Sequence, residues 1–168
     1  MFKANTNKPD TSSAEYMQTQ FNGARSGLLL AIVFTVINMI LMLIGADMYF
    51  LFSIAVPYYG VAIGASISSA AMGVMLVIGV IILAFYVVCW LAGKKHRSLM
   101  TLALIFFCID TLIVLILALT SGAMVEFIVD IIFHVLVLIS LIRGVRFAKK
   151  LNAHEREAQA STMGPEIP

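Results

Sequence analysis

Leu99–Ile142 reads LMTLALIFFCIDTLIVLILALTSGAMVEFIVDIIFHVLVLISLI. Two apolar runs, about Leu99–Leu119 and Met124–Ile142, are separated only by Thr120–Ala123 and contain no Lys or Arg. A segment needs about 20 apolar residues to cross roughly 30 Å of hydrocarbon. Both runs reach that length, so the stretch predicts a transmembrane helical hairpin. In hydrocarbon every backbone N–H and C=O must be paired within the segment, which selects helices; no strand alternation suggests a barrel.

Two more runs extend the pattern, from about Ser26 to Ile44 and from about Met72 to Leu91. The expected fold is an all-α integral membrane protein with four transmembrane helices. Composition agrees: 61% of the 168 residues are hydrophobic and 12% charged. Soluble domains carry about 25% charged residues. The expected organisation is a loose cytoplasmic tail over 1–23, a bundle over 24–150, and a second tail over 151–168. Cys89 and Cys108 lie inside apolar runs with no CxxC or metal-ligand spacing, and read as small buried residues.

The basic residues set the orientation. All 11 Lys and Arg fall in three places. Lys3, Lys8 and Arg25 precede the first run. Lys94, Lys95 and Arg97 lie between the second and third, and Arg143, Arg146, Lys149, Lys150 and Arg156 follow the fourth. By the positive-inside rule both termini are cytoplasmic, and 45–71 and 120–123 are external. The cytoplasmic basic residues can also touch anionic lipid. Nothing in their pattern favours nucleic acid.

The gap 45–71 is apolar and aromatic: Tyr49, Phe50, Phe52, Tyr58, Tyr59. It predicts an external loop whose Met48–Ala55 part lies in the outer interface or dips back against the bundle, with Pro57 interrupting any helix there. Gly60, Gly64, Ser68 and Gly73 form a small-residue stripe, suited to close helix packing within the chain or to a homodimer. The helix of the second run could start as early as Val61.

The Asn22–Gly60 stretch, in its YFLFS and VPYYG pieces, resembles small four-span membrane proteins of Gram-positive bacteria. The resemblance covers about a quarter of the chain. It implies a bacterial plasma membrane and supplies no functional residues.

Ionisable groups at membrane depth cost at least roughly 2.5–3.5 kcal/mol each and need a reason. Here they are Asp110, Glu126, Asp130 and His134, with Asn38 as a milder case. Glu126, Asp130 and His134 repeat at i, i+4, i+8 and share a helix face. Counting from the hairpin puts Asp110 and His134 both about 15 Å deep, so they should meet. Asn38 should lie near the level of Asp130, with Glu126 and Asp47 near the outer surface. This predicts a ladder of acids ending at a histidine, with no buried Lys or Arg to neutralise it. Three charge balances are open: protonated carboxyls, an imidazolium–carboxylate pair, or a bound cation.

Such a cluster can simply tie helices together, handle protons or cations, or hold a metal through Asp110, Asp130 and His134. The expected function is therefore non-enzymatic: an accessory or interaction subunit, or a proton- or cation-handling bundle. The alternative is a metal-dependent membrane enzyme acting on lipid. Topology is tested with reporter fusions. Those after Leu99 and Ala153 should read cytoplasmic and one near Gly60 external; a cytoplasmic signal at Gly60 would overturn the charge argument.

Overall fold

A computed structural model describes residues 13–46, 50, 53–122 and 124–162, without the side chains of Met124, Glu126 and Thr162. These residues form five helices: α1 (Ala14–Leu43), α2 (Ala55–Ile67), α3 (Ser69–Ala92), α4 (Ser98–Ser121) and α5 (Met124–Thr162). Four of them, α1, α3, α4 and α5, are long and apolar enough to cross a membrane.

The four long helices run up and down, with α1 against α3 and α5, and α4 against α3 and α5. One end of the bundle carries Lys94, Lys95, Arg97, Arg143 and Arg146, and is called here the basic end. The opposite, hairpin end carries the α4–α5 turn. Gly122 makes that turn, since its φ of 70° lies where side-chain-bearing residues are strained. Gly45, at φ 69°, closes α1 likewise. There Gly45 N–H donates to the Met42 carbonyl and Ala46 N–H to the Leu41 carbonyl, a Schellman pairing that uses two orphan acceptors.

Helix α2 departs from the expected external loop. Its residues stand beside α3 in antiparallel order, Gly60 near Met75 and Gly64 against Ala71 and Met72, while Pro57 reaches Gly79. The chain therefore returns from the end of α1 to mid-depth, then climbs back to the hairpin end as α2. Ser68, extended at φ −170°, ends α2 and caps α3 by accepting from Ala71 N–H. The helix of the second span starts at Ser69, and α2 is a separate half-length helix of 13 residues, about 20 Å long. Pro57 does not interrupt it. As the third residue of α2 it sits in the first turn, where its missing N–H would have no helical partner anyway. Of the Met48–Ala55 segment, 48, 49, 51 and 52 lie outside the described residues, as does Asp47.

The small-residue stripe is divided by this turn. Gly60 and Gly64 face α3, Ser68 forms the corner, and Gly73 is exposed with nothing within 4 Å of an added Cβ. Packing inside the chain takes the two α2 glycines, so the four residues do not form one free dimer face.

Of both tails, 14–23 and 151–162 are helical where loose chain was expected. α1 begins at Ala14, with Ser13 Oγ accepting from Tyr16 N–H. Met17, Phe21, Ala24 and Leu28 are buried along one stripe, and Tyr16 meets Phe147 edge-on at 5.7 Å. α5 outlasts its apolar run because Val145, Ala148 and Leu151 continue its buried face. Arg97 at the start of α4 holds that extension through Glu155 at 2.8 Å and Asn152 at 2.6 Å. The Arg97 guanidinium keeps the Glu155 carboxyl below its ordinary range. Its contribution is thus present above the unfolded value and fades as pH falls through the depressed one. Arg25 closes the basic end by donating to the Trp90 carbonyl at 2.9 Å while its guanidinium lies over the Trp90 ring.

Two variants check this packing. A Cβ at Gly64 would lie 2.9 Å from the Ala71 carbonyl oxygen and 3.0 Å from Met72 Cα, both backbone. Gly64→Val should therefore prise α2 from α3 and cost about 1–3 kcal/mol in a chemical-denaturation or thermal assay. Arg97→Ala should raise amide exchange over 152–160 while costing at most about 1 kcal/mol overall, because the ion pair is half exposed.

Candidate functional site

An extended chain and a helix N-terminus at mid-depth create a solvation problem. Backbone groups in hydrocarbon have no water to bond, and each unpaired one costs several kcal/mol. Three buried polar side chains answer it. Asn38 on α1 donates from its amide to the Phe50 carbonyl at 2.6 Å and accepts from Phe50 N–H at 2.7 Å. Thr35, one turn deeper, donates back to the Ala31 carbonyl at 2.6 Å and accepts from Ile54 N–H at 2.7 Å.

Asp110 completes the set from α4. Its Oδ2 accepts from Ala55 N–H at 2.9 Å and its Oδ1 from Val56 N–H at 2.8 Å. These are the first two N–H groups of α2, so the carboxylate caps the positive end of that helix in trans. Tertiary contact supplies this cap because Ile54, the residue at the cap position, has no side-chain acceptor.

His134 approaches the same carboxylate from α5. Its Nε2 lies 3.0 Å from Asp110 Oδ2, and both side chains are almost fully buried. The ring stacks on Phe107 at 5.2 Å and meets Phe133 edge-on. Nδ1 lies 2.7 Å from the Asp130 carbonyl oxygen. A carbonyl only accepts, so Nδ1 carries a proton; this tautomer follows from the network. One further proton then fills the Nε2–Oδ2 link. It sits on nitrogen as an imidazolium–carboxylate pair, or on oxygen as a neutral pair, and the net charge is zero either way.

Asp130 is buried one turn away from His134 on α5, and its Oδ2 accepts from Tyr59 Oη at 2.9 Å. Tyr59 also packs its ring on Phe127 at 5.6 Å. Thus α2 is held at its start by α4 and in its second turn by α5.

The structure brings Asp110 and His134 into contact. Asp130 goes to Tyr59 and Asn38 to the Phe50 backbone. The Glu126 side chain lies outside the described residues. Asp110, Asp130 and His134 do not form a metal-holding group, and no such group of three His, Cys, Asp or Glu occurs among the described residues. The reason is geometric: the Asp110 oxygens already take two N–H groups and the imidazole. Cys89 and Cys108 are free thiols.

Sequence reasoning missed Thr35 and Tyr59, and missed that backbone amides are the partners of Asp110. A signal was present: Thr35 and Asn38 recur at i, i+3 on one face of an otherwise apolar run. Among the described residues every buried side-chain N and O has a hydrogen-bond partner. No family model, curated protein or solved structure matches this chain.

Removing the Asp110 carboxylate orphans buried donors at roughly 1–3 kcal/mol each. Asp110→Ala should therefore destabilise more than Asp110→Asn, which keeps one acceptor oxygen. A double-mutant cycle of Asp110→Asn with His134→Leu, read by denaturation in micelles, should show coupling of about 0.5–2 kcal/mol. Additive effects would mean that the 3.0 Å contact carries no energy.

Proposed function

We propose that this is a small non-enzymatic multi-pass membrane protein that holds a titratable proton at mid-depth and couples it to the seating of α2. The observation that carries this is the double duty of Asp110, which caps α2 through Ala55 and Val56 and shares a proton with His134. Adding a proton to the neutral pair leaves an imidazolium facing a carboxylic acid, both donors, beside the positive helix end. Removing one leaves an imidazole lone pair facing a carboxylate. Either change weakens the Nε2–Oδ2 link, and addition also weakens the cap. The same group that feels the proton thus holds the half-helix.

Broken helices whose ends meet functional groups near the midplane are a recurrent way of placing ion-handling sites in membranes. A cation site at this point is less favoured than a proton site, because the positive end of α2 opposes a second positive charge. The lipid-acting metalloenzyme reading draws no support from the donor geometry. The basic residues support a cytoplasmic basic end with both termini inside, and the likeness of Asn22–Gly60 supports a bacterial plasma membrane.

Purified protein in lipid nanodiscs provides the test. A carboxyl infrared band and amide exchange at 55–60 are followed between about pH 4 and 9, a window spanning ordinary carboxyl and imidazole values. The two signals should change with one midpoint, and Asp110→Asn should remove that shared transition. Exchange in α2 that stays flat with pH while the carboxyl titrates would reduce the pair to a helix tie.

A further inference from the structure

The seam between α1 and α5 is a groove with two chemistries. In its apolar half, toward mid-depth, a depression of about 480 Å³ lies between Leu30 and Phe34 of α1 and Phe133 and Leu136 of α5. Gly27 and Ser140 line its floor, a Cβ on Gly27 touching Ser140 Oγ at 3.5 Å, and nearer the basic end a Cβ on Gly144 would collide with the Ala24 methyl. The helices are drawn together there, while Leu30 and Leu136, 48% and 58% exposed, stand up as walls.

Toward the basic end the groove continues past Gly23, Ser140 and Arg143 and opens between Tyr16, Gln20, Arg146 and Lys150. From Phe34 to Tyr16 it runs roughly 27 Å along α1. Arg143, Arg146 and Lys150 are spaced i, i+3, i+7 and share one face of α5. All three are exposed, and the mouth is lined by no Asp or Glu. Among the described residues, the contacts between a basic and an acidic side chain are Arg97–Glu155 and His134–Asp110, so these three cations have no carboxylate partner.

We infer that this seam binds one anionic phospholipid of the leaflet at the basic end, its phosphate at Arg143, Arg146 and Lys150 and one acyl chain along Ser140 and Gly27. The inference rests on the bundle lying in a bilayer and is independent of the Asp110–His134 pair. Charge and shape argue for this occupant together. Guanidinium forks match phosphate oxygens, and three clustered cations favour an anionic headgroup over a zwitterionic one. Tyr16 and Gln20 supply hydrogen-bonding groups beside the cations, and past Ser140 the groove wall becomes apolar, as an acyl chain requires.

The test uses the full chain, stripped of lipid in detergent and reloaded with phosphatidylglycerol or phosphatidylcholine at equal mole fraction. Bound lipid is counted by native mass spectrometry. Phosphatidylglycerol should be retained in preference. Arg143→Gln/Arg146→Gln/Lys150→Gln together should weaken its retention by more than roughly tenfold. Gly23→Leu tests the groove itself; a Cβ there meets nothing within 4 Å, so the fold survives while the side chain fills the channel. It should weaken retention comparably with an unchanged thermal midpoint. Lys94→Gln/Lys95→Gln, at the same end but outside the seam, should leave retention intact. Equal retention of phosphatidylcholine, or equal loss in the Lys94/Lys95 control, would show surface charge alone and overturn the proposal. Normal retention in Gly23→Leu would overturn the acyl seat, and Leu136→Cys chains cross-linking to each other in nanodiscs would assign the seam to a second copy.

Discussion

The constraint on which this structure turns is the start of α2 at mid-depth. A helix N-terminus exposes N–H groups that its own residues cannot satisfy, and hydrocarbon offers no water to do so. Asp110 supplies both oxygens to Ala55 and Val56, with Thr35 and Asn38 serving the chain that leads there. Most of the buried polar residues follow from that one local problem. Asp110 in an otherwise apolar α4 would be a liability without α2, and α2 could not begin where it does without Asp110. His134 then shares the carboxylate with the two amides, so a change in its protonation is felt at the helix end and not only within the pair.

This interdependence bears on how structural and functional explanations divide. A polar tie between membrane helices is worth about 0.6–2 kcal/mol, too little by itself to explain placing a carboxylate and an imidazole at depth. The larger stake lies in the backbone groups, each several kcal/mol if orphaned. An Asn side chain has one acceptor oxygen to share between the two amides, whereas the carboxyl group of Asp110 sets a separate oxygen against each of them. The histidine is what that account leaves over, because α2 gains no further hydrogen bond from it. It brings a proton that balances the carboxylate, and that proton is exchangeable in principle, as an apolar neighbour would not be.

The four spans were legible because apolar runs of sufficient length need no partner to be recognised, and hairpin counting put Asp110 and His134 at one depth. α2 was not legible as a buried helix. Pro57 read as a breaker, though a proline in a first turn is compatible with a helix, and the tyrosines read as an interfacial belt, though Tyr59 points its hydroxyl at Asp130. The small-residue spacing of Gly60 and Gly64 was visible, but its partner, the backbone of α3, depends on a chain reversal that Ser68 makes with no Pro or Gly to mark it. The ordered tails were partly written in the sequence: Met17, Phe21, Ala24 and Leu28 follow a helical period that the surrounding polar composition obscured. Polar composition reports what faces water, and one buried stripe is enough to dock a helix.

α5 joins the two ends of the molecule's chemistry. One face carries Asp130 and His134 toward α2 and α4, and its seam with α1 carries Ser140 and then Arg143, Arg146 and Lys150 toward the basic end. The two regions use different sides of one continuous helix. Close packing at Gly27–Ser140 and Ala24–Gly144 leaves that helix little room to slide against α1. A displacement of α5 large enough to part His134 from Asp110 must therefore disturb the seam, either by opening the small-residue contacts or by carrying α1 along. Because α1 also holds the descending chain through Asn38 and Thr35, carrying it along would move the support of α2 as well. Moving α5 is therefore not an isolated way to part the buried pair: a response to a proton that runs through α5 is shared with α1, and through Asn38 and Thr35 with the support of α2.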